Sequence, residues 1–204
     1  MKKLAVIQLT ALLLVTGLLL GMFTATNVYT EVQSRIVSVL CLSCIKLQPK
    51  TNKEFSFTTA NGKPHPPFVL ENITKGPIFI DYSQDVCKAC DDMAPLLQHY
   101  FNVSYNKTDP FYKTVVINNQ NITYIYINID HTTKEKYDSL KTYDKANVPG
   151  LPMFTFITLG YDNGIIKLYY TSIYGAQNME LIEGVTQDMI TMYQQNQQGY
   201  QPHH

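Results

Sequence analysis

The residues of this chain with the clearest chemical potential are its four cysteines, which form two Cys-x-x-Cys pairs, Cys41/Cys44 and Cys87/Cys90. Pairs at this spacing are typical of dithiol redox centres and of metal sites. A redox centre needs one cysteine with a lowered pKa and a second that attacks a mixed disulfide. Cys87 is predicted to begin a helix, where free backbone N–H groups favour a thiolate, and the charge of Lys88 should help. Cys90, one turn further, is placed to resolve the mixed disulfide.

The cysteines alone leave other interpretations open. Cys87/Cys90 could be a static structural disulfide, or both pairs together could form a zinc site with four cysteine ligands. The 42 residues between Cys44 and Cys87 exceed the usual spacing of a zinc ribbon, about 15–20 residues, so no metal is predicted. Cys41/Cys44 fits two descriptions equally well. It is either a second redox pair that relays electrons, or two small core residues packed beneath the domain.

Hydrophobic periodicity and turn residues predict the elements that position the cysteines. A short apolar run at 77–82 is typical of a buried strand, and a helix follows from the cysteine pair to about residue 100. Prolines at 64, 66 and 67 predict a loop before that strand. Further strands are predicted at 54–59, 115–118, 122–129, 153–158 and 165–171, and further helices at 133–144 and 180–195. The order predicts an α/β domain with a central mixed sheet flanked by helices, plus an extra amino-terminal β element.

This order of elements resembles the thioredoxin superfamily, and single positions strengthen the likeness. Asp81 lies six residues before Cys87, where the family keeps a buried carboxylate. Pro95 lies at the family's helix-kink proline. The segment 148–152 resembles the loop before the family's cis-proline, which makes Pro152 the candidate, and Gly175 follows the last strand as a family glycine does. The resemblance implies a thioredoxin-like domain over residues 54–195.

Two subfamilies are especially similar. The Cys-x-Ala-Cys centre with the segment 147–152 resembles the C-terminal thioredoxin domain of the disulfide-interchange protein DsbD. The segment 55–64 resembles the N-terminal hairpin of membrane-anchored TlpA-type thioredoxins. The chain departs from the family at Val86, where tryptophan is usual, and at the central Lys-Ala, where thioredoxin itself has Gly-Pro.

The resemblance implies a thiol–disulfide oxidoreductase whose substrates are protein disulfides. Cys87 would attack the substrate, Cys90 would resolve the mixed disulfide, and Asp81 would move the proton of Cys90. Burial should raise the pKa of that carboxyl, which suits proton transfer, although a buried Asp can also serve only as a hydrogen-bond partner of the backbone. Leu151 and Pro152 would dock the substrate. No organic cofactor is implied because the dithiol carries the electrons. The alternative is a thioredoxin-fold module for binding or metal delivery without catalysis.

The amino terminus predicts a membrane anchor. An uncharged apolar run at 4–23 follows Lys2 and Lys3 and is long enough to span a bilayer. The lysines should stay in the cytoplasm, which places the remaining chain outside as a single-pass cell-membrane protein. A cleaved signal peptide is the rival interpretation. Residues 1–26 are therefore predicted as anchor or signal, 27–53 as juxtamembrane helix and linker, and 196–204 as a flexible tail. A membrane electron donor is an expected partner.

Charge and sequons add two further expectations. The formal net charge is zero, so the chain lacks the basic footprint of a nucleic-acid-binding protein. Four N-x-S/T sequons are compatible with glycosylation outside the cytoplasm, at Asn72, Asn102, Asn106 and Asn121.

Overall fold

The computed structural model describes residues 55–147 and 150–201. The predicted anchor at 4–23, the juxtamembrane segment and the Cys41/Cys44 pair lie outside these residues. Within the described ranges, no helix combines the length and the apolar character that a membrane crossing needs.

A five-stranded mixed sheet forms the centre of the domain. Its strands are β1 (Ile78–Ser83), β2 (Phe111–Ile117), β3 (Gln120–Asn128), β4 (Met153–Asp162) and β5 (Ile165–Tyr174). The strand order is β2-β3-β1-β4-β5. β1 runs parallel to β3, and every other neighbouring pair is antiparallel. β1 is therefore the central strand, which explains why it is buried at all six positions and reads as a continuous apolar run with one acidic interruption.

Helices cover both faces of the sheet. They are α1 (Pro67–Ile73), α2 (Lys88–Phe101), α3 (Lys134–Tyr143) and α4 (Met179–Asn196). Successive side chains of a strand point to opposite faces, so β1 divides its residues between two cores. The α2 face carries Phe79 with residues of β3 and β4 and packs against α2 and α4. The α1 face carries Ile78, Ile80 and Tyr82 and packs against α1 and α3.

The predicted amino-terminal strand at 54–59 is an isolated β-bridge in the described residues. Ser56 exchanges both of its backbone hydrogen bonds with Tyr170, at 2.7 and 3.0 Å. Its hydroxyl then bonds the backbone of Thr58, which turns the chain away from the sheet. The strand predicted at 115–118 is present as β2, begins earlier at Phe111, and forms a hairpin with β3.

Two further segments differ from the expectations. The proline-rich stretch predicted as a loop ends in helix α1, because Pro67 occupies its first turn, where the missing N–H costs nothing. Residues 196–201 were expected within a flexible tail. Instead, Asn196 ends α4 and donates to the carbonyl of Leu159 at 3.2 Å, and Tyr200 packs against the core of the α1 face.

Candidate active site

Cys87 and Cys90 lie where α2 begins and form a disulfide. Cys87 is the N-cap residue of α2, and its sulfur accepts a hydrogen bond from the backbone N–H of Cys90 at 3.1 Å. In the reduced protein the same N–H and the positive end of the helix dipole would face a Cys87 thiolate and stabilise it. Both cysteines are buried, Cys87 at 8% and Cys90 at 5% exposure, so their positions distinguish them and their exposure does not. Cys87 is the N-cap and Cys90 belongs to the buried stripe of α2, and the predicted roles of attack by Cys87 and resolution by Cys90 remain predictions.

Lys88 contributes less to this site than its sequence position suggests. Its side chain is 88% exposed, and its ammonium group pairs with Asp92 at 2.9 Å. A solvated charge that is already neutralised by a carboxylate stabilises a neighbouring thiolate only weakly. The helix terminus is therefore the main source of thiolate stabilisation that this geometry offers.

Asp81 lies in the centre of the sheet, on the α2 face. It follows Phe79 at the two-residue spacing of a strand, and only 3% of its surface is exposed. Cys90 starts the stripe of α2 that packs on this face together with Met93 and Leu97. Burial raises the pKa of Asp81 to about 7, although hydrogen bonds lower it in part. A carboxyl that titrates near neutrality is suited to exchange a proton with a thiol.

Two tyrosine hydroxyls bind the Asp81 carboxyl. Tyr105 donates to Oδ2 at 3.1 Å, and Tyr124 donates to the same oxygen at 3.2 Å. Neither residue was identified from the sequence. The parallel pairing of β3 with β1, which brings Tyr124 opposite Phe79 and near Asp81, is visible only in the structure. Tyr105 lies in the loop after α2, and its distance along the chain from Asp81 hides the contact.

The Leu151–Pro152 peptide bond is cis, as the sequence predicted for Pro152. Pro152 is buried, Leu151 is half-buried, and the carbonyl of Pro152 accepts a hydrogen bond from Gly175 at 2.7 Å. Gly175 has a φ of 74°, a conformation that suits glycine. Met153 pairs with Tyr82 near the end of β1, so the cis-proline loop lies at the sheet edge from which the chain continues to Cys87.

A polar network holds the loop between β1 and Cys87. Lys107 binds the backbone carbonyl of Asp85 and the carboxylate of Asp91, both at 2.6 Å. Asn128 and His131 bind the Asp85 side chain at 2.9 and 2.8 Å. These contacts hold the pKa of the exposed Asp85 below its usual value, with the Asn128 hydrogen bond as the largest cause. The loop before Cys87 is therefore held by three side chains, those of Lys107, Asn128 and His131.

The order of strands and helices decides the architecture. The domain fits a thioredoxin-like fold. Its β1, β3, β4 and β5 belong to the central mixed sheet that the resemblance implied, and β2 forms one edge of that sheet. This fold with a Cys-x-x-Cys disulfide at a helix N-terminus supports thiol–disulfide chemistry at the site.

Among solved structures, this chain is similar to thioredoxins. A reduced thioredoxin pre-protein of Schistosoma mansoni is 17% identical with a TM-score of 0.34, over 62% of this chain and 87% of that one. Oxidised mitochondrial thioredoxin 3 of Saccharomyces cerevisiae is 20% identical with a TM-score of 0.32, over 57% and 84%. These values are too low to transfer an activity. In sequence, no protein-family model and no characterised protein matches the chain.

The sequons differ in their access to solvent. Asn102, Asn106 and Asn121 are exposed. Asn72 is only 7% exposed, and its amide nitrogen, which would carry the sugar, donates to the carbonyl of Phe68 at 2.7 Å. The folded domain therefore disfavours Asn72, and the other three remain predictions.

No cluster of three or more potential metal ligands occurs among the described residues. The alternative of a zinc site with four cysteine ligands depends on Cys41 and Cys44, which lie outside them.

Proposed function

We propose that this protein is a thiol–disulfide oxidoreductase that exchanges electrons with protein disulfides through Cys87 and Cys90. One observation carries the proposal: the disulfide caps the N-terminus of α2 on the same face of the sheet as a buried carboxyl whose pKa lies near 7. A disulfide with only a structural role would need neither the helix terminus nor the titrating Asp81.

The reaction begins with the reduced dithiol. The Cys87 thiolate attacks one sulfur of a substrate disulfide, so that a Cys87–substrate bond forms, the substrate S–S bond breaks, and one substrate sulfur leaves as a thiolate. Asp81 then takes the proton of Cys90. The Cys90 thiolate attacks Cys87, closes the disulfide and releases the second substrate thiolate. Two electrons pass from the dithiol to the substrate. In the reverse direction the disulfide oxidises a substrate dithiol, and Asp81 returns the proton to Cys90.

Substrate docking is assigned to Leu151 and Pro152. They lie at the sheet edge that leads to Cys87, and an extended peptide could pair with the backbone of Leu151 there. Val86, which is 90% exposed beside Cys87, offers an apolar contact at the position where the family usually has tryptophan. We assign it to the same docking surface.

The proposal extends to the location of the domain. The apolar run at 4–23 supports a single-pass anchor in the cell membrane, with the domain outside the cytoplasm. There a membrane electron donor would reduce or oxidise the dithiol, with Cys41/Cys44 as a relay, and exposed Asn102, Asn106 and Asn121 could carry sugars. Deletion of residues 1–26 should move the protein from the membrane fraction to the soluble fraction.

Trapping of the mixed disulfide tests the assigned roles. Full-length Cys90→Ala, reduced and mixed with insulin, should accumulate a mixed disulfide that is visible by mass under non-reducing conditions. Cys87→Ala, its matched control, should not. Both variants carry Cys41→Ser and Cys44→Ser, which removes the second pair as a source of adducts. Equal trapping by the two variants, or by neither, would contradict the proposal.

A further inference from the structure

Three side-chain oxygens form a closed triangle beneath the candidate active site. Tyr105 and Tyr124 each donate to Oδ2 of Asp81, at 3.1 and 3.2 Å, and their own hydroxyl oxygens lie 3.0 Å apart. Asp81 and Tyr124 are buried, whereas Tyr105 is half-buried in the loop after α2. Tyr105 is therefore the member of the triangle that connects the buried Asp81 carboxyl with the partly exposed surface.

The number of protons in the triangle depends on the state of Asp81. With Asp81 ionised, two hydroxyl protons serve three oxygen–oxygen contacts, and both can point at the carboxylate. With Asp81 protonated, three protons serve three contacts, and each oxygen both donates and accepts. The same arrangement thus holds either state. The hydrogen bonds to the carboxylate are charge-assisted and hence about twice as strong as the neutral ones, so the triangle as a whole favours the ionised form.

The tyrosines are held in place independently of Asp81. The Tyr105 ring stacks on the Tyr126 ring with centroids 4.3 Å apart, and the Gln98 amide reaches the Tyr105 carbonyl at 3.4 Å. Tyr124 is a residue of β3 and contacts the rings of Phe79 and Phe101. A hydroxyl fixed in this way can orient a carboxylate without a cost in side-chain freedom at the moment of reaction.

We propose that Tyr105 and Tyr124 are positioning residues that stabilise the Asp81 carboxylate and so set the pH at which Asp81 takes the proton of Cys90. This inference rests on the proposed function. It adds two residues, from a loop and from β3, to a site that the sequence had limited to Asp81 and the cysteines.

The other groups around Asp81 do not replace this pair. Tyr126 of β3 is its register partner, but the Tyr126 hydroxyl donates to the carbonyl of Lys107 at 3.0 Å. Phe154 of β4 is its other register partner and carries no titratable group. Cys90, the proton donor of the proposed reaction, belongs to the first turn of α2, whose buried residues Met93 and Leu97 pack on this face of the sheet. The ammonium group of Lys107, from the loop of Tyr105, is bound to Asp85 and Asp91.

The test is a pH titration of the full-length protein with its aspartate carboxyls labelled with ¹³C. The oxidised form is used because the disulfide does not titrate, and Asp81→Asn identifies the resonance. The wild-type midpoint should lie near pH 7. Tyr105→Phe and Tyr124→Phe should each raise it by about 1 pH unit, because the carboxylate loses a charge-assisted hydrogen bond. Tyr126→Phe, the matched control, should leave it unchanged.

Every outcome bears on the proposal. Unchanged or lowered midpoints in the two variants would overturn it, and so would an equal rise in the control. If Tyr124→Phe fails to fold, Tyr105→Phe on the half-buried loop carries the test. The titration needs no substrate, so a protein that reduces no disulfide can still pass it. That result would refute the proposed function and leave the role of the tyrosines in the Asp81 equilibrium intact.

A kinetic measurement links the titration to the reaction. In single turnovers with a preformed Cys87 mixed disulfide, attack by Cys90 should speed up as pH rises through the Asp81 midpoint. In each tyrosine variant, this rise in rate should move to higher pH by the same amount as the Asp81 midpoint moves in the titration. At pH 7 the ionised fraction would fall from about one half to about one tenth, which predicts an approximately five-fold slower release. A rise in rate at the same pH as in wild type would contradict the positioning role.

Discussion

Each face of the sheet packs a titratable side chain against tyrosines, Asp81 buried and His65 half-buried, and the pKa values of the two groups shift in opposite directions. On the α2 face, burial raises the pKa of Asp81 to about 7. On the α1 face, burial lowers the pKa of His65 to about 4, although the Tyr143 hydroxyl lies 3.0 Å from its Nδ1. Both shifts have the same cause, because a low-dielectric surrounding disfavours whichever form is charged.

Under the proposed function, the comparison separates a proton-transfer group, Asp81, from a structural group, His65. A carboxyl with a pKa near 7 exchanges its proton at physiological pH, and Asp81 shares its face of the sheet with Cys90. A histidine with a pKa near 4 stays neutral there and can only accept or donate a fixed hydrogen bond. Burial by itself therefore does not mark a catalytic group. Asp81 differs from His65 because burial raises the pKa of a carboxyl towards neutrality, and because the helix that carries the dithiol packs on its face of the sheet.

The largest expected effect comes from removal of the Asp81 carboxyl on the α2 face. Asp81→Asn should slow resolution of the mixed disulfide by at least about 100-fold at pH 7, since general acid–base catalysis typically contributes about 100- to 10,000-fold. It should also abolish the rise of that rate through pH 7. His65→Gln, the matched substitution on the α1 face, should change neither. Single-turnover rates between pH 5 and 9 provide the check, and equal effects of the two substitutions would contradict the division into faces.

The second prediction is that Asp81 destabilises the folded state at neutral and higher pH. Its folded pKa is raised, so the folded state holds a proton between pH 4 and 7 that the unfolded state has lost, and stability falls as pH rises through this range. Asp81→Asn removes this loss. At pH 8 it should increase the free energy of unfolding by about 2 to 4 kcal/mol relative to wild type.

Urea denaturation with the disulfide intact measures that difference. The gain should be small at pH 4, where Asp81 is protonated in the folded state and about two-fifths protonated in the unfolded state. The difference between the two pH values therefore isolates the buried carboxyl. Destabilisation by Asp81→Asn at pH 8 would show that the carboxylate contributes more through its hydrogen bonds than burial costs it.

His65 should give the opposite pH dependence. Its folded pKa is lowered, so its contribution is present above pH 6.5 and is lost as pH falls towards 4, because the unfolded state then takes up a proton that the folded state refuses. Between pH 7 and 5, wild type should lose about 1 to 2 kcal/mol that His65→Gln does not lose, after allowance for partial exposure. His99→Gln, on the surface of α2, is the control in the same urea titrations.

The smallest expected effect distinguishes two lysines near Cys87. Lys107 ties the loop before Cys87 to the first turn of α2, whereas Lys88 pairs only with Asp92 in solvent. Lys107→Met should lower the free energy of unfolding by about 1 kcal/mol, and Lys88→Met should leave it unchanged within experimental error. Equal losses in urea denaturation would mean that the network around Asp85 adds no rigidity beyond that of a surface ion pair.

The sequence predicted the fold well where patterns are local. The apolar run of β1, the helix that begins at the cysteines and the stripe of α4 each follow from side-chain periodicity within one element. It failed where a contact over long sequence separation decides, as in the bridge between Ser56 and Tyr170. The strand predicted at 115–118 is present but begins at Phe111, because its pairing with β3 continues as far as Phe111 and Tyr126.

The same division holds for the site. The Cys-x-x-Cys motif identifies Cys87 and Cys90, and the resemblance to the thioredoxin superfamily identifies Asp81 and Pro152. Tyr105 and Tyr124 reach Asp81 across 24 and 43 residues of sequence and have no motif. Lys88 shows the converse case. Its position beside Cys87 suggested a role, but the neutralising partner, Asp92, lies one helical turn away and became visible only with the helix in place.

The reduction potential of Cys87/Cys90 tests the central claim most directly. The full-length protein with Cys41→Ser and Cys44→Ser is equilibrated with glutathione buffers, and the dithiol fraction is counted by mass after alkylation. An exchanging dithiol should give a potential between about −120 and −270 mV, the range of thioredoxin-fold oxidoreductases. A value below about −300 mV, typical of a structural disulfide, would contradict the account and leave a binding module whose cysteines never exchange.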